Sequence, residues 1–80
     1  MEELIILDFE TTGLSPSYSR VIEVGALLIK QDKIVKRFSQ LMDPGFSIPY
    51  FITDITGITN RMVKGQPKPE EFMPVLKRFI

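Results

Sequence analysis

The chain has 80 residues, ten of them basic and ten acidic, so its formal net charge is zero and its isoelectric point is about 6.2. That length allows at most one domain, which buries only about 60% of its unfolded surface. The hydrophobic share of 44%, with six phenylalanines and two tyrosines, is that of a globular chain rather than a disordered one. Neutrality excludes a broad basic field for long nucleic acid, so any such contact must be local. There is no cysteine, hence no disulfide framework or cysteine–zinc site, and no histidine to act as base or ligand. No signal peptide is visible and no apolar run approaches the ~18 residues of a membrane span, so a cytoplasmic location is expected.

The stretch Leu4-Ile-Ile-Leu-Asp-Phe-Glu-Thr-Thr-Gly13 is an apolar strand ending on two carboxylates and a Thr-Thr-Gly turn. Alternation puts Leu4, Ile6, Asp8 and Glu10 on one face and Ile5, Leu7 and Phe9 on the other, so the strand is expected to be buried on both sides. Two acids beside an apolar core repel each other and resist desolvation unless they protonate or a cation joins them. No lysine or arginine lies between Met1 and Ser19. Oxygen-only donors suit magnesium or manganese, making Asp8 and Glu10 candidate metal ligands. The structural alternative is that both acids simply cap the turn.

Gly13 to Ser19 is turn chemistry. Arg20-Val-Ile-Glu-Val-Gly-Ala-Leu-Leu-Ile-Lys30, β-branched and apolar on both faces, predicts a second, central strand. Glu23 within it is read as a partner for Arg20 or an edge-facing side chain, and Gly25 as a bulge or a close backbone approach. Gln31-Asp-Lys33 predicts a hairpin into a third, half-exposed outer strand from Ile34 to Met42. The basic cluster Lys30, Lys33, Lys36 and Arg37 is read as a solvated edge in preference to a phosphate contact.

Asp43-Pro-Gly45 ends that strand. A short helical turn is expected from Ile48-Pro49 through Asp54, with Pro49 in the first helical position and Gly57 ending it. Ile58-Thr-Asn60 restarts a short helix carrying Met62 and Val63 and closed by Gly65. Lys68-Pro69 opens a last helix whose Phe72, Val75, Leu76, Phe79 and Ile80 fall at helical spacing and should pack on one sheet face. Pro74 within it requires a later start or a kink near Glu70. Nothing obvious covers the opposite face, so the chain is expected to stop mid-fold.

Hydrophobic strand, then Asp-Phe-Glu-Thr-Thr-Gly-Leu, resembles the first motif of the DEDD 3′–5′ exonucleases, in the histidine-containing (DEDDh) branch that includes epsilon-type proofreading subunits and exonuclease domains linked to polymerases or helicases. Arg20-Val-Ile-Glu-Val-Gly-Ala26 is similar to that family's second strand. Ile48-Pro49 through Ile52-Thr-Asp-Ile-Thr-Gly-Ile-Thr59 is similar to its segment between the third strand and the next helix. The resemblance implies an α/β, ribonuclease H-like exonuclease fold of which residues 1–80 form the N-terminal portion, a three-stranded antiparallel sheet followed by short helices. It also implies two-metal phosphodiester hydrolysis with Mg2+ or Mn2+ held by Asp8 and Glu10. Thr11, Thr12 and Gly13 would line the pocket for the terminal nucleotide, Ile55 would wedge against its base, and Thr56 would stand where many relatives carry histidine.

The implied substrate is the 3′ end of single-stranded or frayed DNA, with RNA not distinguished, and the implied setting is DNA replication or repair beside a polymerase or helicase module. The family's two further aspartates and its histidine base have no counterpart here. Asp32, Asp43 and Asp54 match no catalytic motif, so the 80-residue chain alone is expected to be catalytically incomplete. Two rivals differ in class. A haloacid-dehalogenase-type phosphatase would need an aspartate where Glu10 stands. A non-catalytic interaction or dimerisation module would keep the fold and self-associate through uncovered sheet.

Overall fold

The computed structural model describes residues 3–13 and 19–80. Its elements run β1 (Glu3–Thr11), β2 (Val21–Lys30), β3 (Lys33–Leu41), α1 (Tyr50–Thr56), α2 (Asn60–Val63) and α3 (Pro69–Phe79). The strands form one antiparallel sheet in the order β1-β2-β3, as the apolar runs and the hairpin spacing predict. The expected turn at Gly13–Ser19 falls largely on residues 14–18, outside the described residues.

The β2–β3 hairpin turns on Gln31 and Asp32, both with positive φ (50° and 65°). A two-residue loop with both centres left-handed matches the natural twist of the flanking strands. The ladder skips Val35 between Ile29↔Ile34 and Leu28↔Lys36, a bulge that sharpens local twist. Lys30, Lys33, Lys36 and Arg37 are all exposed. Lys30 lies 3.9 Å from Glu3, and the Lys36 ammonium sits 5.1 Å from the Phe79 ring centroid, so the basic cluster is a solvated edge.

The helices cover one face of β2 and β3. Ile22, Ile48, Ile52, Ile58 and Val63 form one buried cluster, and Val24, Met42, Phe72 and Leu76 form another. Phe38 on β3 stacks between the Phe72 and Phe79 rings at centroid distances of 5.5 and 5.2 Å. Neither cluster takes a side chain from β1. This corrects the expectation of a β1 buried on both faces: Leu4, Ile6, Leu7 and Phe9 are all exposed. The strand lies at an edge, beyond the reach of α3, and its backbone pairing with β2 holds it. In β2 burial is one-sided as well, with Ile22, Val24 and Ala26 buried and the alternate residues partly open.

Helix boundaries follow their caps. Pro49 is the N-cap of α1 rather than its first helical residue, and Gly57 (φ 79°) closes the helix by donating its N–H to the Thr53 carbonyl. The Thr59 hydroxyl accepts the Met62 N–H at the start of α2. At α3 the Glu71 carboxylate accepts the Lys68 N–H, with Pro69 in the first helical position. The helix starts at Pro69 and continues through Pro74. Pro74 and Glu70 are both exposed, so water can serve the Glu70 carbonyl that lacks an N–H partner. Of the apolar residues at helical spacing, Phe72 and Leu76 are buried and Phe79 half-buried, whereas Val75 and Ile80 face solvent.

Candidate nuclease site

Asp8 and Glu10 fall two residues apart on β1, so they share a face with Cα atoms about 7 Å apart. The antiparallel register places Asp8 opposite Gly25 and Glu10 opposite Glu23. Directly opposed residues share a face at about 5 Å between Cβ atoms, so Glu23 is a third acid on the surface that carries Asp8 and Glu10. This corrects the reading of Glu23 as a partner for Arg20. The Arg20 guanidinium reaches instead to the Glu70 carboxylate on α3.

Gly25 lies in regular ladder, and a Cβ built on it would meet nothing within 4 Å. It is neither a bulge nor a close backbone approach among the described residues. What it does is leave the space beside Asp8 open. Asp8 is exposed and Glu10 half-buried, and no cation is ion-paired to either among the described residues. No group of three metal-ligating side chains is gathered closely enough to enclose an ion among the described residues. The donor chemistry still fits a hard divalent cation: oxygen-only ligands, one open side and, among the described residues, no positive side chain paired to them.

At the end of β1 the ladder shifts between Glu10 and Thr11. Thr12, 5% exposed, donates its N–H to the Arg20 carbonyl and accepts the Arg20 N–H at its hydroxyl, both at 2.8 Å. The Thr11 hydroxyl donates to the Gly13 carbonyl at 2.8 Å. A side chain on Gly13 would press on the Ser19 hydroxyl at 3.3 Å. These contacts close the end of the strand immediately after Glu10.

Ile55 and Thr56 stand on α1, which Ile52 anchors against Ile22, the strand neighbour of Glu23. Ile55 is 77% exposed, so it is a surface residue and not core. The Thr56 hydroxyl donates to the Ile52 carbonyl and accepts the Ile58 N–H. With its proton and one lone pair committed to the helix end, the Thr56 hydroxyl has no hydrogen to donate to a ligand. Sequence reasoning gave other roles to Glu23, whose facing of Glu10 depends on register, and to Gly25, whose value is the gap it leaves.

Residues 5–80 match the profile of the exonuclease (RNase T) family, and the chain belongs to that family. The chain is 43% identical over 79 residues to the PolC-type DNA polymerase III of Clostridium perfringens, covering 99% of this chain and 6% of that protein. It is 40% identical over 76 residues to the DNA polymerase III epsilon subunit of Aquifex aeolicus, covering 95% of this chain and 38% of that one. Among solved structures, exonuclease X in complex with 5′ overhanging duplex DNA superposes with a TM-score of 0.78 at 30% identity, over 90% of this chain and 42% of that chain. Exonuclease I of E. coli, in complex with an oligonucleotide, gives 0.82 over 98% and 18% of the respective chains, and at 17% identity it speaks for the fold alone. The fold is that of the ribonuclease H-like exonucleases, here as a three-stranded antiparallel sheet followed by helices. The chain spans well under half the length of these relatives.

Proposed function

We propose that residues 1–80 form the N-terminal part of a single 3′–5′ exonuclease domain of the proofreading or repair type, acting on the 3′ end of single-stranded or frayed DNA. The observation that carries this reading is the pair Asp8 and Glu10, on one open face at the end of a strand, with Gly25 leaving room beside them. These two carboxylates would hold divalent magnesium or manganese. When bound, such ions polarise a water for attack on the terminal phosphodiester and offset charge on the departing 3′ oxygen. Thr11, Thr12 and Gly13 close the end of the strand immediately after Glu10. Ile55 presents an apolar surface against which a terminal base can rest, and the Thr56 methyl lies beside it.

Although Glu23 shares their face, no three acids are gathered closely enough to enclose an ion among the described residues, so the pair would bind a cation weakly, which supports an 80-residue chain that hydrolyses nothing by itself. The pairing of this domain with a polymerase or helicase module, and a cytoplasmic location, go with the same reading; no helix among the described residues is long and apolar enough to cross a membrane. The test is a manganese titration followed by NMR. Paramagnetic broadening should centre on Asp8 and Glu10 at millimolar metal and vanish in Asp8→Ala, with the fold intact by circular dichroism. Amides at both positions left sharp at millimolar manganese would refute the reading.

One observation favours the second reading, an interaction or dimerisation module. The apolar side chains of β1 are exposed on both faces of a strand whose outer edge is unpaired among the described residues. Concentration-dependent sedimentation at neutral pH, together with indifference to metal, would move the balance to it.

A further inference from the structure

A second surface at the carboxylate end of the sheet has the makings of a nucleic-acid contact. Beyond β3, a groove of about 550 Å³ is lined by Asp43, Phe46, Ser47, Asn60, Lys64 and Lys68, among others. The Asp43 N–H donates to the Pro67 carbonyl at 3.0 Å, which ties the exit of β3 to the α2–α3 connection and forms one wall. Val63 in the lining belongs to the buried cluster that contains Ile22 and Ile48. Ile22 is the strand neighbour of Glu23, so the groove lies at the same end of the sheet as Asp8 and Glu10, on the helix-covered face where those carboxylates stand on the open one. Glu10 and Leu41 are separated by two strand spacings, about 10 Å.

The chemistry of the lining is specific. Lys64 and Lys68 are exposed and make no ion pair among the described residues. The Ile48 N–H donates to the Asn60 Oδ1 at 2.7 Å, which fixes the side chain and leaves its Nδ2 hydrogens to donate. The Ser47 hydroxyl adds another donor. Phe46 is 47% exposed, an aromatic ring with an open face. Asp43 is the one acid in the lining, and its Oδ1 is occupied in accepting the Gly45 N–H at 2.8 Å. Two cations, two neutral donors and an open ring match a phosphate followed by a base, the repeating unit of a single strand. The basic cluster on the β2–β3 hairpin is a poorer match, because Lys30 lies near Glu3 and Lys36 covers Phe79.

We propose that this groove is a second nucleic-acid contact, in which Lys64 and Lys68 hold the phosphodiester backbone and Phe46 stacks a base upstream of the terminal nucleotide. The choice of a single strand as ligand rests on the exonuclease reading above, but the contact needs no metal and is measured without it. The experiment is fluorescence anisotropy of the 80-residue chain with a labelled oligothymidylate, in EDTA and at several salt concentrations.

Two phosphate contacts give a log–log salt slope of about −1.4, hence roughly sevenfold weaker binding between 50 and 200 mM salt. K64E/K68E should weaken binding at least about tenfold and flatten that slope. F46A should weaken it about tenfold through lost stacking. K30E/K33E, the same charge change at the far end of the sheet, should leave it within about twofold. Equal losses in the two charge-reversed pairs would mean a general charge effect and overturn the proposal. So would competition by thymidine monophosphate as strong, per phosphate, as by the oligomer, which would mean a free-nucleotide pocket. Oligomer-induced amide shifts should appear at Phe46, Ser47, Asn60 and Lys64, and their absence there would also overturn it. Manganese broadening at Asp8 can fail or succeed independently, so the two readings are separately testable.

Discussion

Opposing Glu10 to Glu23 across the β1–β2 ladder has an energetic cost that can be measured. Like charges directly opposite on one sheet face destabilise by roughly 0.2–1 kcal/mol. At about 5 Å, Coulomb repulsion is about 0.8 kcal/mol in bulk water, and larger where partial burial lowers the effective dielectric. Glu10 and Glu23 are both half-buried, so a value near 0.5–1 kcal/mol is expected at low ionic strength after allowance for screening. Glu23→Gln should therefore stabilise the metal-free chain by about that amount. For a chain of this size the urea m-value is about 1 kcal/mol/M, so the midpoint should rise by about 0.5–1 M. Glu10→Gln should give a similar gain, and the double variant should gain little more, because either change alone removes the same repulsion. Raising the salt to 1 M, where the Debye length is about 3 Å, should erase most of the difference. A Glu23→Gln midpoint equal to or below the parent's at low salt, or a strictly additive double variant, would refute the facing of these two carboxylates.

Two further outcomes test the core and the caps. Phe72→Ala removes a buried ring stacked on Phe38 and should cost about 3–5 kcal/mol, most of the stability available to a chain of this length. Its thermal transition should be lost or strongly lowered by circular dichroism, while Phe72→Leu keeps a cooperative melt. Gly57→Ala places a Cβ on a left-handed residue (φ 79°) and should cost about 1–2 kcal/mol by urea denaturation; open space around the position leaves backbone strain as the cause.

How far the sequence could be read depended on whether a feature was local. Period-two alternation in Leu4–Glu10 puts Asp8 and Glu10 on one face, and the ladder does the same. Polar connections, glycines and prolines mark the two hairpin strands and three helices to within a residue or two. The exposure of Leu4, Ile6, Leu7 and Phe9 was not legible, because apolar content shows what a strand could bury and not whether a neighbour reaches it. Nor was Glu23 legible as the residue facing Glu10. The β1–β2 connection is too long for register to be counted along the chain, unlike the two-residue turn at Gln31 and Asp32. Arg20 and Glu23 are close in sequence, but the ladder shift at Val21–Ile22 lies between them and Arg20 stands before the start of β2, so nearness along the chain does not pair them. The guanidinium finds Glu70 instead, which only the packing of α3 brings near. Pro74 suggested a later start or a kink near Glu70; the helix starts at Pro69 all the same, because a single missing bond on the solvent side is tolerated.

The absence of β1 from both buried clusters sets the order in which the molecule loosens. β3 and α3 share the stacked phenylalanines and β2 packs Val24 against Phe72, so these three elements form the cooperative unit expected to open only with global unfolding. β1 can detach by breaking one ladder while leaving that unit whole, so its amides should exchange with solvent well before those of Val24 or Phe72. The strand bearing Asp8 and Glu10 is thus the one least secured by the rest of the chain. Any partner that pairs with its outer edge or bridges its carboxylates to the neighbouring strand would protect those amides first, and hydrogen exchange would report such an encounter before any change in the core.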